Sequence, residues 1–130
     1  ESLTKYIKRK KIIHERYKDK ISKIKGLAIS NSSYCTGCNY WLNILEINEH
    51  LSKTKLSKII KYLHENGIET RPFWYPNHLQ KQYKNCQTYK LDYIKKIYQN
   101  RLCLPSSAQL TKKKQDFICS KLKNILKKIT

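Results

Sequence analysis

The densest run of chemically capable side chains is Arg71-Pro72-Phe73-Trp74-Tyr75-Pro76-Asn77-His78. A guanidinium grips a carboxylate or a diphosphate through two parallel hydrogen bonds. Indole and phenol rings offer flat faces for stacking on other rings. An imidazole hydrogen-bonds anions and hydroxyls. Proline cannot donate to a sheet ladder, so a strand entering this run must leave its sheet or lie at an edge. The aromatics therefore belong on a loop rather than in a core, and loops held by a rigid scaffold are where function concentrates. Each residue also has a plain structural alternative. Arg71 could pair with Glu69 or Glu46 or cap a strand end, and His78 could simply be solvated.

Two other groups invite chemistry. Cys35-Thr-Gly-Cys38 has the spacing of half a zinc site, but a second close pair is missing: His78 and Cys86 are too far apart and His50 stands alone. No metal is expected. A strand rather than a helix is expected after Cys38, which argues against a thioredoxin-type redox pair. An odd total of five cysteines suits free thiols in a reducing compartment. Asn39 and Asn43 flank an apolar stretch. Asn43 either bonds to neighbouring backbone or contacts a ligand or a second chain.

Regular elements must position these residues. Apolar residues recur at three- and four-residue steps over 3–25 (Leu3, Tyr6, Ile7, Ile13, Tyr17, Ile21, Ile24), which predicts one long amphipathic helix stopped by Gly26. Leu27 to Ser30 is a short strand candidate and Asn31 to Gly37 a polar loop. Tyr40 to Ile47 reads as a strand apolar on both faces, hence central and covered on both sides. A helix is expected over Lys53 to Asn66, capped by Ser52 or Thr54 and ended by Gly67. A strand follows over Ile68 to Phe73, a helix over Lys90 to Gln99, and a strand over Arg101 to Leu104 that Pro105 ends. Thr111 caps a last helix reaching about Ile129. The order predicts a small α/β (α+β) sandwich, with helices packed on a sheet of three or four strands.

Composition narrows the classes. The chain has 130 residues, 28 of them basic against 9 acidic, for a net charge of +19. Only Arg9, Arg16, Arg71 and Arg101 are arginine, whereas nucleic-acid readers favour arginine's planar fork. The runs Lys8 to Lys11 and Lys112 to Lys114 fall on helical faces expected to be wet. A basic nucleic-acid-binding or interaction module is the competing reading, supported by charge alone. No apolar run approaches the ~20 residues of a membrane span, and no signal peptide is visible. The three glycines, Gly26, Gly37 and Gly67, are too dispersed for a phosphate cradle. The sequence contains no methionine, so it reads as a cut from a longer chain.

Several runs, in order, resemble the DegT/DnrJ/StrS sugar aminotransferases. Gly67-Ile68-Glu69-Thr70-Arg71 followed by Pro76-Asn77-His78 resembles that family's "Gly-Ile-x-x-Arg, then Pro-x-His" run. Leu102-Cys103-Leu104-Pro105-Ser106-Ser107 followed by Leu110-Thr111 resembles its leucine-proline-serine turn. Arg9 to Ile21, with Tyr17, has the register of its long helix. Asn39-Tyr40-Trp41-Leu42-Asn43 resembles the subgroup acting on nucleotide-linked 4-keto sugars. Asn100-Arg101 departs from the glycine usual ahead of the turn, and residues 31–38 follow no family pattern.

The resemblance implies the small C-terminal domain of a fold-type I aminotransferase, with residues 1–25 as an interdomain helix and 26–130 as the α/β sandwich. It implies a cytoplasmic homodimer that uses pyridoxal 5′-phosphate to move an amino group from glutamate to a keto nucleotide sugar, in amino-sugar and surface-polysaccharide synthesis. The Schiff-base lysine and phosphate cradle belong to that family's large N-terminal domain, so no catalytic residue is expected here and the piece alone should be inactive. The substrate-facing candidates are Arg71, Trp74, Tyr75, His78, Asn39 and Asn43. Trp74 and Tyr75 would stack on a uracil or a sugar ring, or pack against the large domain. His78 would bond a phosphate or sugar hydroxyl. Asn39 and Asn43 would face the sugar or satisfy backbone.

Overall fold

The computed structural model describes residues 2–30, 37–48, 53–91 and 93–129. Helix α1 (Ser2–Ser22) buries Ile13, Tyr17 and Ile21, an i, i+4, i+8 stripe. Helix α2 (Lys53–Glu65) buries Leu56, Ile59 and Leu63, and helix α4 (Lys112–Ile129) buries Ile118, Leu122 and Ile125. These stripes meet one face of a four-stranded sheet made of β1 (Leu27–Ile29), β2 (Asn43–Ile47), β3 (Arg71–Pro72) and β4 (Arg101–Leu104). The strand order is β1-β2-β4-β3 and every pairing is antiparallel. A short helix α3 (Ile94–Gln99) leads into β4, and two 3₁₀ turns, Asn77–Leu79 and Lys81–Tyr83, follow the aromatic run.

Local signals explain the element ends. Gly67, at φ +71°, closes α2. Its N–H donates to His64 O, and Ile68 N–H donates back to Leu63 O (both 2.9 Å). That is a Schellman cap, and the left-handed residue it needs favours glycine. At the start of α4, Thr111 Oγ1 accepts the Lys114 N–H at 3.3 Å. The Ser52 cap candidate lies outside the described residues, as do Cys35, His50 and most of the loop expected over Asn31 to Gly37.

Four expectations need correction. The first helix ends at Ser22, and Leu3 and Tyr6, expected inward, are 69% and 55% exposed. They lie in the first turns, N-terminal to the buried stripe, which begins only at Ile13. The strand expected over Ile68 to Phe73 shrinks to Arg71–Pro72, and the helix expected from Lys90 begins at Ile94. Lys90 has φ +50°, which no helix accommodates. The strand expected over Tyr40 to Ile47 begins only at Asn43 and is fully covered on one face but only partly on the other. Asn43, Leu45 and Ile47 are buried, while Ile44 and Glu46 between them are half-buried. Glu46 stands directly opposite Arg101 on β4, and the two form an ion pair on that second face.

α1 is tied to α4 at the surface. Arg16 Nη2 donates to both Asp116 oxygens (2.8 and 2.9 Å), and Lys20 Nζ lies 2.6 Å from Oδ1. The Lys20 hydrogen bond, helped by the Arg16 charge, holds the Asp116 carboxyl below its ordinary value of 3.8. A depressed carboxylate contributes stability that is complete above the unfolded-state value and lost as pH falls through the folded one. Asp116→Asn should therefore lower the melting temperature near neutrality, and the gap to the parent chain should close as pH drops below 3.8. Melting curves of both chains over an acid series test this; a gap of constant size would remove Asp116 from the acid response.

Candidate functional site

The site begins with two residues one turn apart on α1. Lys10 Nζ donates to three backbone carbonyls: Trp41 O (3.0 Å), Ser106 O (3.1 Å) and Tyr40 O (3.4 Å). An ammonium has three hydrogens, and here each has an acceptor. Burial lowers the Lys10 pKa. His14, also buried, donates from Nδ1 to Asn43 Oδ1 at 3.0 Å, and its ring centroid lies 5.0 Å from that of Tyr40. Asn43 in turn donates from its backbone N–H (2.8 Å) and from Nδ2 (2.9 Å) to Ser106 Oγ. The Ser106 hydroxyl donates onward to Leu104 O at 2.8 Å.

This knot explains why β2 starts late. Its neighbour β4 ends opposite Asn43, at Leu104, because Pro105 cannot continue the ladder. Lys10 takes the carbonyls of Tyr40 and Trp41. Tyr40 sits at φ +51°, a left-handed conformation rare in a non-glycine residue and retained only where the surroundings hold it.

The turn projects Trp41 outward. Asn39 Oδ1 accepts the Trp41 N–H at 3.0 Å. The Trp41 ring centroid lies 5.6 Å from that of Trp74, with the planes inclined by 46°. Phe73 lies 6.1 Å from Trp74, and Tyr75 meets Tyr98 of α3 edge-on at 5.6 Å. Together with Arg71, Leu42 and Cys103 these rings line an open groove of about 900 Å³. Trp41 and Trp74 remain 62% and 59% exposed. Arg71 Nη2 donates to Glu69 Oε1 at 2.7 Å, and both side chains are well exposed. That bond holds the Glu69 carboxyl below its usual range and raises the guanidinium. Burial raises the Cys103 thiol, which leaves it protonated and inert.

The structure thus brings Arg71, Trp74 and Tyr75 to one groove. His78 lines a separate cavity of about 540 Å³, beside Tyr83, Cys86 and Tyr89. Asn39 is exposed and supports the Trp41 turn. Asn43 is corrected as a ligand contact: it is 1% exposed and its amide is taken up by His14 and Ser106. Trp41, read from the sequence as an inner residue of a strand, is a wall of the groove. Lys10, read as part of a wet lysine face, is half-buried and holds the turn. The exposed lysines are spread over α1, α2 and α4. Among the described residues no three potential metal ligands cluster, and no helix is long and apolar enough to cross a membrane.

Solved structures share the fold. The chain superposes on the aminotransferase TlmJ of Streptoalloteichus hindustanus with a TM-score of 0.79, at 19% identity, over 95% of this chain and 32% of that one. It superposes on Helicobacter pylori PseC, an aminotransferase of pseudoaminic acid biosynthesis, with a TM-score of 0.76, at 15% identity, over 94% of this chain and 33% of that one. The chain belongs to the DegT/DnrJ/EryC1/StrS aminotransferase family, whose pattern matches residues 1–123. Among sequence relatives, a GDP-perosamine synthase of Vibrio cholerae is 27% identical over 125 residues, covering 95% of this chain and 34% of the relative. The chain spans about a third of the length of the curated relatives it matches.

The polar knot can be tested directly. Asn43→Ala should destabilise the chain by about 2 kcal/mol, since a buried polar group stripped of its partner costs roughly 1–3 kcal/mol. Equilibrium urea unfolding measures it. An unchanged midpoint would mean that His14 and Ser106 are satisfied without the amide.

Proposed function

We propose that this chain is the small domain of a pyridoxal-phosphate-dependent enzyme that transfers an amino group from glutamate to a keto sugar carried on a nucleotide. Membership of the aminotransferase family over residues 1–123 carries this reading. The groove agrees with it, offering aromatic faces and one exposed arginine beside β3, with residues of α2 and α3 in its walls. The V. cholerae relative is a synthase of GDP-perosamine, which favours a nucleotide-linked substrate. We place the reaction in the cytoplasm, in amino-sugar and surface-polysaccharide synthesis, and the working enzyme as a homodimer.

The residues of this chain do not fit the cofactor. No lysine lines the aromatic groove, and three dispersed glycines make no cradle for its phosphate. When bound, pyridoxal phosphate would supply the electron sink, held mainly by a larger N-terminal domain outside this chain. The exposed Leu3, Tyr6 and Ile12 of α1 suit packing against that domain, with α1 as the interdomain helix and 26–130 as the sandwich. Arg71, Trp74 and Tyr75 would meet the sugar nucleotide, His78 a more distant part of it, and Asn39 would act through Trp41.

In the longer protein carrying this chain, Arg71→Ala should raise the KM for the sugar nucleotide by roughly tenfold or more, as expected for loss of a charge-assisted bond worth about 1.5–3 kcal/mol. The glutamate half-reaction, followed by the change in cofactor absorbance, is the internal control. Unchanged sugar kinetics would remove the groove from the site. A wild-type protein with no transaminase activity on any keto nucleotide sugar would overturn the reading itself.

A further inference from the structure

The positive charge is unevenly distributed. Helices α1 and α4 hold 15 of the chain's 28 basic residues and 3 of its 9 acidic ones. Two of those acids are already neutralised, Asp116 by Arg16 and Lys20, and Asp19 by Lys23. α4 carries the excess in an ordered form. Lys113, Phe117, Ser120, Asn124 and Lys127 recur at alternating four- and three-residue steps, so they make one ridge, opposite the buried Ile118, Leu122 and Ile125. All five are exposed, and the ridge contains no acid. Lys121 holds its ammonium 5.2 Å from the centre of the Phe117 ring, so cation and apolar group share one place.

Folding does not require this arrangement. The first turn of a helix favours acids, because its unpaired N–H groups leave positive charge there. In α4 that turn holds Lys112, Lys113 and Lys114 and no acid. Among the described residues none of the three joins an ion pair. Phe117, 46% exposed in the middle of the ridge, likewise gains little from its own fold. Two local rules are broken along one helix, and such breaks belong where a partner offsets the cost.

The chemistry of the ridge selects the partner. α4 has seven lysines and no arginine. Lysine is a point charge that offers no planar fork to a base edge or to a single phosphate, so the ridge is suited to a diffuse field of anions rather than to reading a nucleic acid. A single apolar ring among those charges suits a partner with hydrocarbon just beneath its phosphates. We propose that the α4 ridge docks the protein on an anionic lipid bilayer, with its lysines at the phosphates and Phe117 inserted at headgroup level. The cytoplasmic leaflet, on the side where we place the reaction, carries such lipids. One ring and a few lysines give reversible peripheral binding and not a stable anchor.

The longer protein carrying this chain should co-sediment with vesicles of phosphatidylcholine and phosphatidylglycerol mixed two to one, and not with phosphatidylcholine alone. Rising salt should weaken the binding steeply. Lys112→Gln, Lys113→Gln and Lys114→Gln combined should lower the partition coefficient on the order of 100-fold, at about fivefold for each lysine near an anionic surface. That variant should melt no lower than its parent, since it removes cations from the helix end that disfavours them, so its lost binding would not reflect unfolding. Phe117→Ser should weaken binding most clearly at high salt, where the charges are screened. The control is Lys81→Gln, Lys84→Gln and Lys90→Gln combined, which removes equal charge from exposed positions after the aromatic run and should leave binding nearly unchanged. An equal loss in the control would assign the binding to net charge and overturn the ridge. So would undiminished binding by the α4 variant, the result expected if another domain or a second copy covers that helix. Tighter binding, per phosphate, to duplex DNA than to the mixed vesicles would make a nucleic acid the partner and overturn the proposal as well.

Discussion

One serine hydroxyl holds the groove end of this fold together. Ser106 Oγ accepts two hydrogen bonds from Asn43 and donates one to Leu104 O, which uses its full capacity. Through Asn43 the same centre reaches His14, and through the Ser106 carbonyl it reaches Lys10. Three separate stretches of chain, α1, the entry to β2 and the exit from β4, are thus joined by polar bonds in a largely buried place. Partly satisfied, such a network would cost more than an apolar core; fully satisfied, it specifies one geometry. The leucine-proline-serine turn follows from this. Proline ends the strand, and serine supplies the hydroxyl that the neighbouring strand end lacks.

The consequence reaches the groove because the second side of the sheet is only partly covered. Leu45, Leu102 and Leu104 point into the helical layer and are at most 2% exposed. On the opposite side, Arg71 and Ile44 flank Cys103 in register, and Glu46 faces Arg101. A sheet face carrying a cross-strand ion pair beside aromatic residues is not a second core. It is a floor from which Phe73, Trp74 and Tyr75 rise, with Trp41 delivered to them by the knot at its edge.

Legibility tracked the range of the interactions. α4 was readable because its apolar period is long and Thr111 caps it, and the end of α2 because Gly67 is a local signal. Trp74 and Tyr75 were readable as a loop because Pro72 and Pro76 bracket them. Trp41 was not, since its partner Trp74 is far away in sequence and its own neighbours alternate as a strand would. Lys10 was the least legible. Its acceptors are main-chain carbonyls 30, 31 and 96 residues away, which no side-chain pattern announces. Asn43 was recognised as a buried amide needing partners, but those partners, His14 and Ser106, come from opposite ends of the chain. The short β3 and α3 were overextended because hydrophobic periodicity does not register a backbone turn such as the positive φ at Lys90.

Two of the exposed apolar surfaces differ in their chemistry. Leu3, Tyr6 and Ile12 lie on α1 among Lys5, Lys8 and Arg9, beside Ala108. Aliphatic side chains gain from burial in proportion to area and without direction, which is how one protein layer adheres to another. The first turns of an isolated helix are marginal in water, so such a face has most to gain from a large covering surface. Trp41 and Trp74 are different. The Trp41 backbone is held from behind, the two rings already touch each other, and they share a groove with an arginine whose ion pair is exposed. Directional π-faces and an exposed cation confer selectivity on a small planar anion and add little to the adhesion of a broad surface. The same 130 residues can therefore lean on a neighbour at one end of α1 and leave the groove that Lys10, near the middle of that helix, keeps in shape free for a ligand.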